Sequence, residues 1–397
     1  MKRIWILYIF TFFQCFCLQY KGIDSVICKA LSYVSFILVF SYSLFIHNKR
    51  IVNDKYEKKT KKIFHIIAVG ITFSIIPACL IEDQPFIISV MTTIGFIFVM
   101  LDYDILRRLR IDPEAIERLF VFYGFVYVGI VIVNFLTFPN MIFGSGELDL
   151  ERGGIRMRSN MLMFGVLSFF YFINKYLNYK KWTSLVSAFI MFVAVASSFF
   201  RVYIILMLGL AALMLFLKTT GKRRVAIILS IIVVLFLIIP RTSIYKNLVE
   251  VSETQKELSD NSKEDVRIQA TRYFVIESQT GIESILLGHG MASYGNSEYG
   301  KREELRADNT GFYQADVGWA GCFYDFGLIT VLGFMSLLLS GIFRKKNSKT
   351  QYLTYFFLFY FLGAIANGHF QYTMLLYILP LAFYVLNYYQ LAPSLKR

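Results

Sequence analysis

The chain has 397 residues, of which 56% are hydrophobic, 17% aromatic and only 17% charged. A soluble domain of this length would carry more charge and would not repeat uncharged apolar stretches of about 18 residues or more, so a soluble globular protein is excluded. The formal charge of +14 does not point to nucleic acid, because the basic surplus sits in short connecting segments, where it orients membrane helices.

Met1-Lys2-Arg3 followed by Ile4 to Leu18 has the outline of a signal peptide, but no small-residue cleavage site follows, and it reads as a retained first span. Apolar runs long enough to cross about 30 Å of hydrocarbon fall near residues 4–19, 26–46, 63–81, 86–101, 119–138, 159–177, 182–199, 202–217, 225–239, 326–343, 351–366 and 372–390. The fold class is therefore an all-α polytopic membrane protein of about 12 transmembrane helices. Residues 1–239 hold the first nine, 240–325 form one long extracytoplasmic loop, and 326–397 hold the last three.

Alternate connections are strongly basic. His47 to Lys62 carries seven Lys/Arg, and Asp102 to Arg118, Lys218 to Arg224 and Arg344 to Lys349 carry four each. The positive-inside rule puts these on the cytoplasmic side, with both termini cytoplasmic. Glu82-Asp83-Gln84-Pro85, Pro139 to Arg158, the long loop and Asn367 to Gln371 then face outward. Between Pro240 and Asp325 there are nine Lys/Arg and fourteen Asp/Glu, a net of −5. Asp102-Tyr103-Asp104 reads as a solvated cytoplasmic pair beside Arg107 and Arg108.

Within the long loop, Val251 to Asp265 is polar, Val266 to Leu287 reads as one amphipathic helix, and Gly288-His289-Gly290 ends it. Gly295 to Gly311 is loop-like, with Glu298, Glu303, Glu304 and Asp308 as solvated charges. Asp325 reads as a cap on the tenth span. The five cysteines have neither metal nor disulfide spacing. A nucleotide-cradling glycine loop, an internal repeat and a His/Cys metal pattern are all missing, so no cofactor and no metal are expected.

The residues suited to chemistry gather on the outer side. Arg152, Arg156 and Arg158 crowd one outer loop against the orientation bias, and Arg201 sits in a very short apolar turn. Arginine offers phosphate a planar, permanently charged fork, so Arg201, Arg267 and Arg272 are candidates to hold a lipid diphosphate. The competing reading is a helix-end arginine reaching to headgroups. Arg267 and Arg272 point about 140° apart on a helix, so one of them faces a common site. His289 is either a catalytic group or a turn residue satisfied by the backbone. Asp316, near Trp319, either takes a proton from an attacking hydroxyl or caps the next helix.

At these residues the chain resembles the O-antigen and capsular polysaccharide polymerases and their relatives, the O-antigen ligases. The resemblance covers nearly the whole chain in span count and in the position of one long outer loop before the last spans. Arg152-Gly153-Gly154 to Ser159-Asn160-Met161-Leu162 is similar to the family's arginine-glycine then asparagine approach to a middle span, with Ser159 replacing the usual proline. Ser198-Phe199-Phe200-Arg201 resembles its serine-arginine turn. Arg267 through Gly288-His289-Gly290 resembles its arginine-started helix ending in glycine-x-glycine. Asp316 lies where the family has a histidine or aspartate, and aspartate favours polymerase over ligase.

The resemblance implies a GT-C-like membrane glycosyltransferase that joins undecaprenyl-diphosphate-linked oligosaccharide repeats at the outer face of the bacterial cytoplasmic membrane. Asp316 or His289 would be the base. Arg201, Arg267 and Arg272 would bind diphosphate, and Arg152, Arg156, Asn160 and Trp319 would contact substrate. Membrane lipid and a chain-length regulator are the implied partners, with no nucleic acid. The alternatives are an O-antigen ligase and a flippase for the same lipid-linked repeats.

Overall fold

The computed structural model describes residues 2–15, 25–46, 55–143, 145–149, 154–198, 200–218, 265–345 and 347–391. Helices lie along every expected apolar run except 225–239, which is outside the described residues, as is the polar stretch before Asp265. Among the described residues six stretches are long and apolar enough to cross a membrane: Val26–Phe45, Lys55–Leu80, Phe86–Leu109, Pro113–Thr137, Arg201–Lys218 and Gly318–Ile342. That gives the protein membrane character. The chain divides into two compact units, one of Met1–Phe120 with Val266–Arg397 and one of Val121–Asp265.

The first unit holds α1 (Lys2–Gln14), α2 (Ser25–Phe45), α3 (Lys55–Phe73), α4 (Ile75–Leu80) and α5 (Phe86–Leu109). It also holds the start of α6 (Pro113–Thr137). The second unit contains the rest of α6, a hairpin of β1 (Ser145–Asp149) and β2 (Gly154–Arg158), α7 (Leu162–Tyr179), α8 (Trp182–Ala196) and α9 (Arg201–Lys218). Small residues let its helices close up: a Cβ on Gly124 would meet Ser168 Oγ at 2.4 Å, and one on Gly165 would meet the Tyr127 ring at 2.7 Å.

Beyond Asp265 the first unit resumes with α10 (Val266–Arg272), a π-helical turn (Tyr273–Glu277), α11 (Ile282–Leu287), α12 (Glu298–Thr310) and α13 (Gly318–Ile342). It ends with α14 (Gln351–Gly363), α15 (Thr373–Leu376) and α16 (Ile378–Leu391). Its core is aromatic. Phe64 of α3 stacks on Tyr103 of α5 at 5.0 Å, Phe96 meets Phe326 at 5.3 Å, and Phe357 stacks on Phe383 at 4.3 Å.

Four expectations are corrected here. The single amphipathic helix over 266–287 is three pieces, because extended Gly281 interrupts it and the Ser284 hydroxyl bonds the backbone of Gly281 to start a new helix. The loop over 295–311 is largely helix α12, which Ser297 caps by accepting from the Gly300 N–H at 2.9 Å. Asp102 and Asp104 are buried in α5 rather than solvated, and Asp104 is enclosed by Lys61, His65 and Arg107. Asp325 does not cap α13; it is buried inside it.

The last point exposes the main irregularity of the fold. Gly327 has φ +73° inside α13 and divides it into two helical parts. An unbroken helix would use the carbonyls of Tyr324 and Asp325 for residues four further on. Here they accept instead from the N–H groups of His289 (2.7 Å) and Gly290 (2.9 Å). The approach demands glycine on both sides: a Cβ on Gly327 would lie 2.3 Å from the Leu286 oxygen, and one on Gly288 would lie 2.6 Å from the Gly327 nitrogen.

Gly327→Ala should therefore cost on the order of 3 kcal/mol of stability, while Gly209→Ala, whose Cβ meets nothing within 4 Å, should be neutral or slightly stabilising. Thermal melts of the detergent-purified variants check this; equal melting temperatures would mean that the helix break is not locked in place.

Candidate functional site

One end of the first unit gathers a polar cluster around the helix break. The turn after α11 carries His289 beneath α12, and the short connection after α4 carries Glu82 to the same place. Gln84 fixes that connection. Its amide donates to the Met291 carbonyl at 3.0 Å, and its oxygen accepts from the Ser293 N–H at 2.9 Å and the Ser297 hydroxyl at 2.8 Å. Glu82 and His289, 207 residues apart, then meet with Oε1 2.7 Å from Nδ1. The other carboxylate oxygen of Glu82 accepts from Arg302 Nη2 at 2.7 Å.

The chemistry of this pair follows from its partners. Burial alone would raise the Glu82 carboxyl, but the hydrogen bond and charge of His289 and the Arg302 guanidinium outweigh it and hold Glu82 below the ordinary carboxylate range. An ionised carboxylate only accepts, so Nδ1 of His289 donates its proton to Glu82. The His289 side chain is 2% exposed, its ring stacks on Tyr324 at 4.5 Å, and Nε2 has no hydrogen-bond partner among the described residues. A buried imidazole oriented by a carboxylate, with its second nitrogen unpartnered among the described residues, has the groups that general-base chemistry uses.

His369 makes the contrast. It is fully buried, burial pushes its pKa down to about 3 against the pull of the Tyr360 carbonyl, and it is a neutral packing residue.

A second carboxylate lies one layer further along. Glu303 accepts from Arg306 and from the Tyr324 hydroxyl (3.0 Å) on one oxygen and from Gln314 (2.7 Å) on the other. Burial raises its pKa despite Arg306. Arg306 in turn lies over the rings of Tyr273, Phe274 and Tyr324, 4.9 to 5.5 Å from their centroids. Tyr324 thus joins the two carboxylates: its ring covers His289 and its hydroxyl binds Glu303. Glu303 was expected as a solvated charge and is instead internal.

The residues singled out from sequence distribute unevenly. His289 stands at the centre of this cluster. Arg267 and Arg272 lie exposed on α10, the π-helical turn that follows it packs against the same Tyr324 through Phe274 at 5.0 Å, and Arg272 pairs with Glu277 at 3.0 Å. Asp316 is exposed in a 3-10 turn before α13, and its side chain makes no cap on that helix. Trp319 is half-buried against Phe361 and Phe370 and donates to the Phe361 carbonyl at 3.1 Å, the pattern of a packing residue. In the second unit, Arg201 opens α9, Asn160 precedes α7, and Arg156 faces Glu147 in the hairpin register. Arg152 lies outside the described residues.

Sequence reasoning missed Glu82, Arg302, Arg306 and Tyr324. The one available signal was Glu82, a carboxylate in a four-residue outer turn between two apolar runs. Among the described residues no group of His, Cys, Asp and Glu could hold a metal ion. No protein-family model and no curated protein matches the sequence.

The depressed Glu82 group has a thermodynamic sign. Its contribution to stability is complete above the unfolded carboxyl pKa of about 4.3 and is lost as pH falls through the lower folded value. Glu82→Gln should flatten that acid limb in melts run from about pH 3 to 6; an unchanged acid slope would show that the Glu82 contact contributes nothing to folding.

Proposed function

We propose that the protein is a membrane-embedded glycosyltransferase that joins undecaprenyl-diphosphate-linked oligosaccharide repeats into a surface polysaccharide. The observation that carries this reading is the Glu82–His289 pair, whose Nε2 is buried and has no hydrogen-bond partner among the described residues. It sits at the end of the helices where the distribution of basic residues predicts the outer face of the cytoplasmic membrane.

In this mechanism the acceptor hydroxyl of one lipid-linked repeat gives its proton to His289 Nε2 as its oxygen attacks the anomeric carbon of the donor. The bond from that carbon to the diphosphate breaks through an oxocarbenium-like state, and the electron pair leaves with the lipid diphosphate. Glu82 stabilises the imidazolium that forms. Arg302, more than half exposed beside the pair, supplies positive charge, and Arg267 is the further arginine of the same unit for the leaving group. Both substrates are tethered to one membrane, which raises their effective concentration.

The base in this reading is His289, which Glu82 orients, rather than Asp316, whose carboxylate is exposed in a 3-10 turn. A ligase would use the same chemistry on a different acceptor. A flippase would have no need of an oriented, unpartnered imidazole.

In cells, His289→Ala should reduce polymer by about 100-fold or more and Arg267→Ala should abolish it, while Asp316→Asn leaves long chains intact. Gel profiles of lipid-linked glycan, beside an immunoblot for membrane insertion, read the result. Long chains persisting in His289→Ala would overturn the assignment, and single repeats accumulating only on the inner leaflet would favour the flippase.

A further inference from the structure

The opposite end of the first unit holds a cavity of about 570 Å³ lined by Arg3, Ile4, Arg110, Ile111, Asp112, Ala115 and Arg118. We infer that this cavity is a binding site for the headgroup of an anionic phospholipid in the leaflet expected to be cytoplasmic. The inference stands apart from the polymerase reading, since none of these residues belongs to the His289 cluster.

Three arginines face one aspartate here, and local structure explains why they converge. α5 ends at Leu109, and Arg110 adopts a left-handed conformation (φ 49°) that caps it through the Leu106 carbonyl. The chain therefore turns into α6 within three residues, and Arg118, in the second turn of that helix, comes back to the same cavity. Arg3 is drawn in from α1 by donating to the Leu109 carbonyl at 3.1 Å. Asp112 offsets only one of the three positive charges, and its carboxylate is directed to the backbone. Its carboxylate accepts from the Glu114 N–H and its carbonyl from Ala115 and Ile116, so it caps α6. Glu117 is turned away onto the hydroxyls of Tyr352 (2.8 Å) and Tyr389 (3.1 Å). Neither Arg110 nor Arg118 forms an ion pair among the described residues.

The depth of the cavity selects a lipid. It lies where two candidate spans end, Phe86–Leu109 and Pro113–Thr137, which is the level of phosphate groups in a bilayer. Its floor is apolar, from Ile4, Ile111 and Ala115, and suits the glycerol and first methylenes. Its rim of guanidiniums suits a phosphodiester. A second basic groove, lined by Lys58, Lys61, Lys62, His65, Ile66, Val69 and Ile329, is less suited, because Asp104 already occupies Lys61 and His65.

The test uses the full-length protein, delipidated in mild detergent and titrated with short-chain phosphatidylglycerol or phosphatidylcholine, with retained lipid read by native mass spectrometry. Phosphatidylglycerol should be held about tenfold more tightly, and excess inorganic phosphate should not displace it. The preference should disappear in R110Q/R118Q. It should also disappear in Arg118→Glu, a single change at an exposed helical position that keeps the test valid if the double variant does not fold. Equal retention of the two lipids, or a preference that survives in the folded variants, overturns the inference. Displacement by inorganic phosphate overturns it too, in favour of a soluble phosphate ligand.

Discussion

Two backbone hydrogen bonds organise this protein. The N–H groups of His289 and Gly290 occupy the carbonyls of Tyr324 and Asp325 where Gly327 breaks α13. In hydrocarbon an unsatisfied backbone group costs several kcal/mol, so a break in a membrane helix survives only when something polar fills it. The turn 288–290 is that filling. Because it must lie against the break, His289 has one place to be, and Tyr324, on the adjoining turn of α13, lies under its ring.

The rest of the cluster is built onto this anchor by polar side chains with more than one partner each. Gln84 ties the connection after α4 to the segment that follows His289, Glu82 bridges His289 and Arg302, and Glu303 bridges Arg306, Tyr324 and Gln314. Such a network is specific because every member is defined by several neighbours at once. It also separates two carboxylates electrically: Glu82 is held low by cations and Glu303 is pushed up by burial.

The helical course of the chain could be read from apolar runs because length and hydropathy alone identify candidate spans. What could not be read was where charged residues stop being loop and become helix. α5 continues through Asp102 and Asp104 to Leu109, since Lys61, His65 and Arg107 wait on neighbouring turns to neutralise Asp104. Hydropathy treats each charge as a cost and cannot see its counterion. The same blindness placed Glu303 in solvent and left Glu82 unremarked. His289 was visible because glycines bracket it; its partner was not, because nothing local links positions 82 and 289. Asp316 drew attention by standing near a tryptophan; its carboxylate is exposed, and Trp319 packs on Phe361 and Phe370.

The long separation of Glu82 and His289 has a consequence for biogenesis. At ribosomal speeds of about 5–20 residues per second, the 207 residues between them take roughly 10–40 s to synthesise. During that interval α4 and Glu82 are already at the membrane, while the imidazole, the helix break and Tyr324 do not yet exist. Any product of stalled translation thus lacks the cluster, which is assembled only when α13 has been made and closes it from its far side.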